Sequence, residues 1–324
     1  MADVLFTLLT VILIVPVSLF LGIIYAFLVR KFSARFQWRV GPVMRMYGDL
    51  KPLLGASRIL QPLYDILKLM GKQTILPETS RKTLFVASPY LSLAFAVLVV
   101  FFIPFPGMPL LSNTPYSMII ASYLIIGSVV FTILGPVASG SPWGVIGARR
   151  EVELFLVSEL GFVVSIFSVA YAEGTLSLYN MASRALNLPM LLLMVSAGIL
   201  MFLSMLGKLH IKPFDIPEAE CEIVAGQYTE YSGKLLGMYF LAKAFMLYGL
   251  VALFIAVFLP PFSSSILWLP VYAIAAVLVV LLLSIVQVLN PRYQIDRALP
   301  WYMKVIIPLG LLSFIIALVI RLVM

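Results

Sequence analysis

The chain has 324 residues, 62% of them hydrophobic and 11% charged, with a formal net charge of +8 and a mean hydropathy of +1.09. These values exclude a soluble globular enzyme and describe an integral membrane protein. The positive balance does not signal nucleic acid, because the basic residues are sorted to one side of the apolar segments rather than gathered on a groove-binding element; one cysteine, Cys221, and one histidine, His210, exclude a cysteine-ligated cluster, a His-rich metal site and an intrachain disulfide.

Eight apolar stretches of spanning length follow in chain order, at 4–29, 83–103, 116–138, 151–172, 188–207, 235–259, 266–289 and 303–322. The first is too long for a signal-peptide core and follows Asp3 rather than a basic stretch, so it is expected to be retained. The expected fold is all-α: a bundle of about eight transmembrane helices, one membrane domain over 1–324, with its long loops at 30–82, 139–150, 208–234 and 290–303 on one face. Eleven basic residues lie between Arg30 and Lys82. Arg149, Arg150, Lys208, Lys212, Lys234, Arg292, Arg297 and Lys304 fall on the same side if the helices alternate, and only Arg184 and Arg321 on the other. The positive-inside rule then predicts a multi-pass protein of the cell (cytoplasmic) membrane with those loops inside and both termini outside.

The first inner loop opens on Arg35-Phe-Gln-Trp-Arg-Val-Gly-Pro42 and continues to Gln61-Pro-Leu-Tyr-Asp-Ile-Leu-Lys-Leu-Met-Gly-Lys72. Pro62 suits a first helical turn, and Leu63, Ile66, Leu67 and Met70 repeat at i, i+3, i+4, i+7, with Asp65, Lys68 and Lys72 on other faces. This predicts a short amphipathic helix on the inner surface, anchoring the chain or roofing a cavity beneath a partner.

Nine of the fourteen acidic residues lie between Glu151 and Glu230. Glu159 and Lys243 each fall eight or nine residues into a predicted helix, about 12 Å deep at 1.5 Å per residue. Either one unpaired at the bilayer centre would cost on the order of 2.5–3.5 kcal/mol. Both are therefore expected to face the bundle interior on a hydrated polar track, with or without touching. In Pro213-Phe-Asp-Ile-Pro-Glu-Ala-Glu-Cys-Glu222, Asp215 could cap a short helix, Glu218 complete a capping box and Gly226 end it. That reading leaves Glu220, Glu222 and Glu230 without a structural task. It also sets Glu218 and Glu222 on one stripe, where like charges raise proton affinity. Proton or ion relay, and capping with solubility, are the two readings. Arg292 and Asp296, four apart, could bridge if helical.

The run from Pro213 to Gly233 resembles the signature loop of the membrane subunit called 1, or H, in respiratory complex I and of its counterparts in membrane-bound [NiFe]-hydrogenase and sulfane-reductase-type complexes. Arg39-Val-Gly-Pro42, Gln61-Pro62 with Asp65 to Leu69, Ser158-Glu159 and Pro291-Arg-Tyr-Gln-Ile-Asp296 fit as well. The resemblance implies a connector subunit, non-catalytic alone, that couples electron transfer in a soluble Fe–S arm to proton or sodium translocation. It implies relay roles for Glu159, Asp215, Glu218, Glu220, Glu222, Glu230, Arg292 and Asp296, and the depth of Lys243 in its predicted helix adds that residue to the expected relay. Arg35, Arg39, Gly41, Pro42, Gln61, Asp65 and Lys68 would meet the redox arm. No cofactor or metal belongs to this chain; Fe–S clusters, with or without a NiFe centre, would sit in partners.

The partners so implied are a cluster-bearing small subunit, a large subunit, antiporter-like membrane subunits and ferredoxin as electron donor. The stretch Val43 to Arg58 departs from the complex I pattern, as do Gln73 and Gln294, which places the chain nearer the hydrogenase or sulfur-reductase side. A quinone-chamber subunit of an NADH- or ferredoxin-quinone oxidoreductase is the alternative, and a stand-alone transporter or a passive anchor are rivals of another class.

Overall fold

The computed structural model describes residues 2–41, 59–106, 110–184, 187–259 and 266–323. Within them eight helices are long and apolar enough to cross a membrane. They are α1 (Ala2–Phe36), α3 (Lys82–Phe102), α4 (Ser117–Ala138), α5 (Pro142–Glu173), α7 (Leu188–Lys208), α9 (Gly233–Phe258), α10 (Leu269–Leu289) and α11 (Ile295–Val323). Shorter helices α2 (Gln61–Met70), α6 (Leu178–Ala182) and α8 (Glu220–Ile223) lie between them. No β-strand forms among the described residues; in hydrocarbon each backbone polar group has to be satisfied within its own segment, and a helix does that.

Three helices outrun their apolar stretches. α1 continues past Arg30 to Phe36, α11 begins at Ile295, and α5 begins at Pro142 rather than near Glu151. Pro142 follows an extended Ser141 (φ −83°, ψ 133°), and a proline ring is already set for the first helical turn. Hydropathy marks where hydrocarbon begins, whereas hydrogen bonding continues beyond it. At 32 residues α5 is about 48 Å long, against a core of about 30 Å, so one end projects.

α9 is the axis of the bundle, buried along most of its length and packed against α1, α2 and α3, with α7 and α10 beside it. α3 pairs with α4, α5 with α7 and α11, and α1 with α10. Gly22 of α1 lies so close to Ala244 that an added Cβ would stand 2.9 Å from the α9 carbonyl carbon, an approach of backbones that only glycine permits. The alternating helices bring the described parts of the connections, 37–41 and 59–81 after α1, then 138–142, 208–233 and 289–295, to one face. They knit together there: Arg81 N–H donates to the Ala138 carbonyl at 2.8 Å, and Ile75 N–H to Ser232 Oγ at 2.9 Å. At the other face Arg184 is buried, its Nη2 donating to the Val257 carbonyl at 2.5 Å in the last turn of α9. Burial lowers its guanidinium to about 10 against the raising effect of Glu173, so it stays charged at neutral pH.

The amphipathic helix is present as α2, but its buried face differs from the expected stripe. Pro62 and Ile66 are buried, Leu69 and Met70 pack over Gly237 of α9, and Leu67 is exposed. The helix rolls toward the gap that Gly237 leaves, which the spacing of its own residues cannot show.

Candidate functional site

The connection between α7 and α9 carries most of the acids, and long-range partners shape it. Asp215 caps no helix. Its carboxylate accepts from Arg292 Nη2 at 2.5 Å, and Glu218 accepts from Lys243 Nζ at 2.7 and 2.8 Å. The helix spans only Glu220–Ile223, so the expected capping box does not form: a cation 77 or 25 residues away satisfies a half-buried carboxylate better than a neutral backbone N–H. The expected stripe of Glu218 with Glu222 fails for the same reason, since Glu222 turns to Arg150 at 2.5 Å. Arg292, held by Asp215, does not bridge to Asp296, which is exposed in the first turn of α11.

His210 joins the pieces. It takes the left-handed conformation, φ +51°, uncommon for a residue with a Cβ, and its enclosed ring sits between Glu151 of α5 and Glu218 of the connection. Nδ1 lies 2.8 Å from Glu218 Oε1 and Nε2 lies 2.7 Å from Glu151 Oε2, the second contact close but poorly aligned as a hydrogen bond. Burial alone would lower the imidazolium's proton affinity, but the carboxylates of Glu151 and Glu218 outweigh it and push the ring up to about 10. Burial alone would likewise raise Glu218; Lys243 and His210 instead hold it well below the carboxylate range. Asp215 goes the other way, raised by burial despite Arg292.

Deeper in, Lys208 ends α7 with its ammonium enclosed and bonded to Glu159 of α5. It stands 4.4 Å from the centre of the Phe162 ring, whose face attracts a cation. Glu159 and Lys243 are thus both inward-facing but not partners; each has its own counter-ion. The resulting order is Arg292, Asp215, then Lys243, Glu218, His210, Glu151, then Lys208, Glu159, drawn from α11, the α7–α9 connection, α9, α5 and α7.

The near end opens on a cavity of about 670 Å³ between α1, α2, α9 and the 209–218 segment. Ile23, Ile66 and Leu247 form apolar wall, while Asp215, Glu218 and Lys243 put the start of the ion-pair row on its surface. Arg30 and Asp65, 3.3 Å apart, tie α1 to α2 beside it.

Of the expected relay residues, Glu159, Asp215, Glu218, Lys243 and Arg292 come together in this row. Glu222 lies beside it, on Arg150, while Glu230 and Asp296 enter none of the ion pairs among the described residues. The side chain of Glu220 lies outside the described residues, as does Pro42. Arg35 and Arg39 are exposed on the same face as Asp65 and Lys68 of α2, with Gly41 and Gln61 partly buried near them in sequence. Sequence reasoning missed Glu151, Lys208 and His210 as members. The lone histidine two residues beyond a helix-ending lysine was the available signal. Among the described residues no three His, Cys, Asp or Glu side chains gather as a metal site, and the single cysteine does not fit an Fe–S cluster.

The family model described as NADH dehydrogenase matches residues 8–318. An H subunit of NADH-quinone oxidoreductase from Syntrophobacter fumaroxidans is 31% identical, over 94% of this chain and 92% of the relative. The H subunit of NADH-quinone oxidoreductase from Syntrophotalea carbinolica is 30% identical over 96% of each. Among solved structures, a chain of the membrane-bound sulfane sulfur reductase, an archaeal respiratory membrane complex, superposes with a TM-score of 0.80 at 25% identity, covering 96% of this chain and 99% of that one.

Proposed function

Since the chain belongs to the NADH dehydrogenase family, which includes the H subunit of NADH-quinone oxidoreductase, we propose that it is the connector of a multisubunit membrane redox complex, coupling electron transfer in a soluble Fe–S arm to proton or sodium translocation. The observation that carries this reading is the succession of three ion-paired groups, Arg292 with Asp215, then Lys243, Glu218, His210 and Glu151, then Lys208 with Glu159, from the cavity wall into the bundle. Buried charges that served packing alone could be replaced by apolar side chains without loss, whereas alternating acids and bases, in contact within each group and coupled through their fields between groups, can pass a charge displacement along. In the resting arrangement Glu218 is locked ionised between Lys243 and His210. A redox event at the loop surface has to draw one of these cations away; Glu218 then gains proton affinity, His210 is released toward Glu151, and the imbalance reaches Lys208 and Glu159.

The arm would dock on the face bearing Arg35, Arg39 and α2, with a cluster-bearing small subunit and a large subunit of hydrogenase or sulfur-reductase type fed by ferredoxin. Antiporter-like subunits would follow laterally. The likeness to the sulfane sulfur reductase supports this branch. A quinone-chamber role is the second reading, favoured by the size and apolar wall of the cavity and by the names of the NADH-quinone oxidoreductase relatives.

The test is made on the native complex in liposomes. Glu159→Gln and Glu218→Gln are expected to keep electron transfer and lose ion translocation. Full translocation in both variants would sink the coupling role and leave a passive anchor. Quinone-dependent turnover that Ile66→Trp blocks would assign the cavity to the second reading.

A further inference from the structure

A second, smaller space of about 40 Å³ lies on the other side of the ion-pair row, where α3 and α4 meet α5 and α9. Ser92, Ser128 and Thr132 line one side of it, and Glu151, His210 and Lys243 the other. At about 10–15 Å³ per water it has room for roughly three. The polar groups for them are there. Glu151 Oε2 and His210 Nε2, on side chains only 4% and 7% exposed, approach each other without an aligned hydrogen bond, so both keep bonding capacity that water would take. Opposite, Ser92 Oγ stands 3.2 Å from Ser128 Oγ and 3.1 Å from Thr132 Oγ1, and each hydroxyl has a backbone carbonyl as an alternative acceptor or a neighbour that does. Hydroxyls that can donate in either of two directions are free to reorient.

We propose that this space binds a cluster of about three waters forming a side branch of the ion-pair row, linking Glu151 to the Ser92, Ser128 and Thr132 hydroxyls at the α3–α4 seam. The proposal rests on the coupling role above. When Glu151 takes a proton on its carboxylate oxygen, its O–H donates to the first water and each later water or hydroxyl reverses its donor direction in turn; the proton stays on Glu151 and no hydroxyl becomes charged. A metal cation is the wrong occupant, because Lys208, His210 and Lys243 all face the space and only Glu151 opposes them on its lining.

High-resolution imaging of the intact complex, with infrared difference spectra of the Glu151 carboxyl band, tests the branch. Ordered water density is expected there, and Ser128→Ala with Thr132→Val should shift the Glu151 band and lower translocation per electron while electron transfer holds. Val129→Leu, which keeps the hydroxyls but fills the space, should give the same shift. A dry space, a bound sodium ion, or an unmoved band in folded variants would overturn the branch. Glu218→Gln in the same preparation separates the two ideas. If it uncouples while the hydroxyl variants do not, the branch is wrong and the coupling row stands; if it leaves translocation intact, the coupling role has failed and takes the branch with it.

Discussion

Lys208 is the residue on which the inner half of the row depends. Its side chain is 1% exposed and Glu159 is its counter-ion, so Lys208→Met leaves a carboxylate that is 15% exposed without compensation. Breaking one partner of a buried pair costs roughly 3–5 kcal/mol, whereas replacing both can be neutral. Thermal unfolding of the purified complex should therefore show a large loss for Lys208→Met and recovery when Glu159→Met is added. His210 sets a pH window. Its pKa is raised from 6.5 to about 10, so its contribution to stability is full below pH 6.5, declines as pH rises and is gone above about 10. Glu218, held below the usual 4.5, contributes above that pH and loses its contribution as pH falls through the lowered value. Melting temperature measured across pH should decline on the alkaline side for the native chain, and His210→Gln should flatten that limb.

At the level of elements, α2 depends on one gap in α9. Gly237 gives Met70 and Leu69 their seat, and a Cβ there would stand 3.1 Å from Met70 Cε. Gly237→Leu is expected to lift α2 off the cavity, exposing Ile66, which is 5% accessible in the native packing. In a Cys221→Ser background, an Ile66→Cys thiol should resist maleimide alone and react once Gly237→Leu is added. The existence of α2 and of the eight spans was legible in the sequence, because apolar length and 3.6-residue spacing are local properties. What was not legible came from partners distant in the chain. Asp215, Pro217, Glu218 and Gly226 spell a capped helix, yet Arg292 and Lys243 take the two carboxylates and leave only Glu220–Ile223 helical. Equal depth left open whether Glu159 meets Lys243; the early start of α5 at Pro142 sets Glu159 beside the end of α7 and Lys208. His210 stood out only as a lone histidine just past a helix-ending lysine, and its role comes from the two acids that flank it in space.

For the whole molecule, eight crossings place the ends of α1 and α11 opposite the charged connections. Reporter fusions at either terminus should behave as exported, alkaline phosphatase active and green fluorescence absent, while the same reporters in the 208–234 connection should behave as retained; the reverse pattern would defeat the positive-inside assignment. The pairing pattern also has a consequence for how the chain is made. Among the described residues each enclosed cation has a carboxylate partner synthesised before it: Glu159 before Lys208, Glu151 before His210, Glu173 before Arg184, Glu218 before Lys243 and Asp215 before Arg292, while Glu218, the second partner of His210, follows it. Each positive group thus leaves the ribosome with its counter-ion already waiting in a nascent neighbour. During insertion, neither Lys208 nor Lys243 has to sit in lipid as a bare cation while a later segment is awaited.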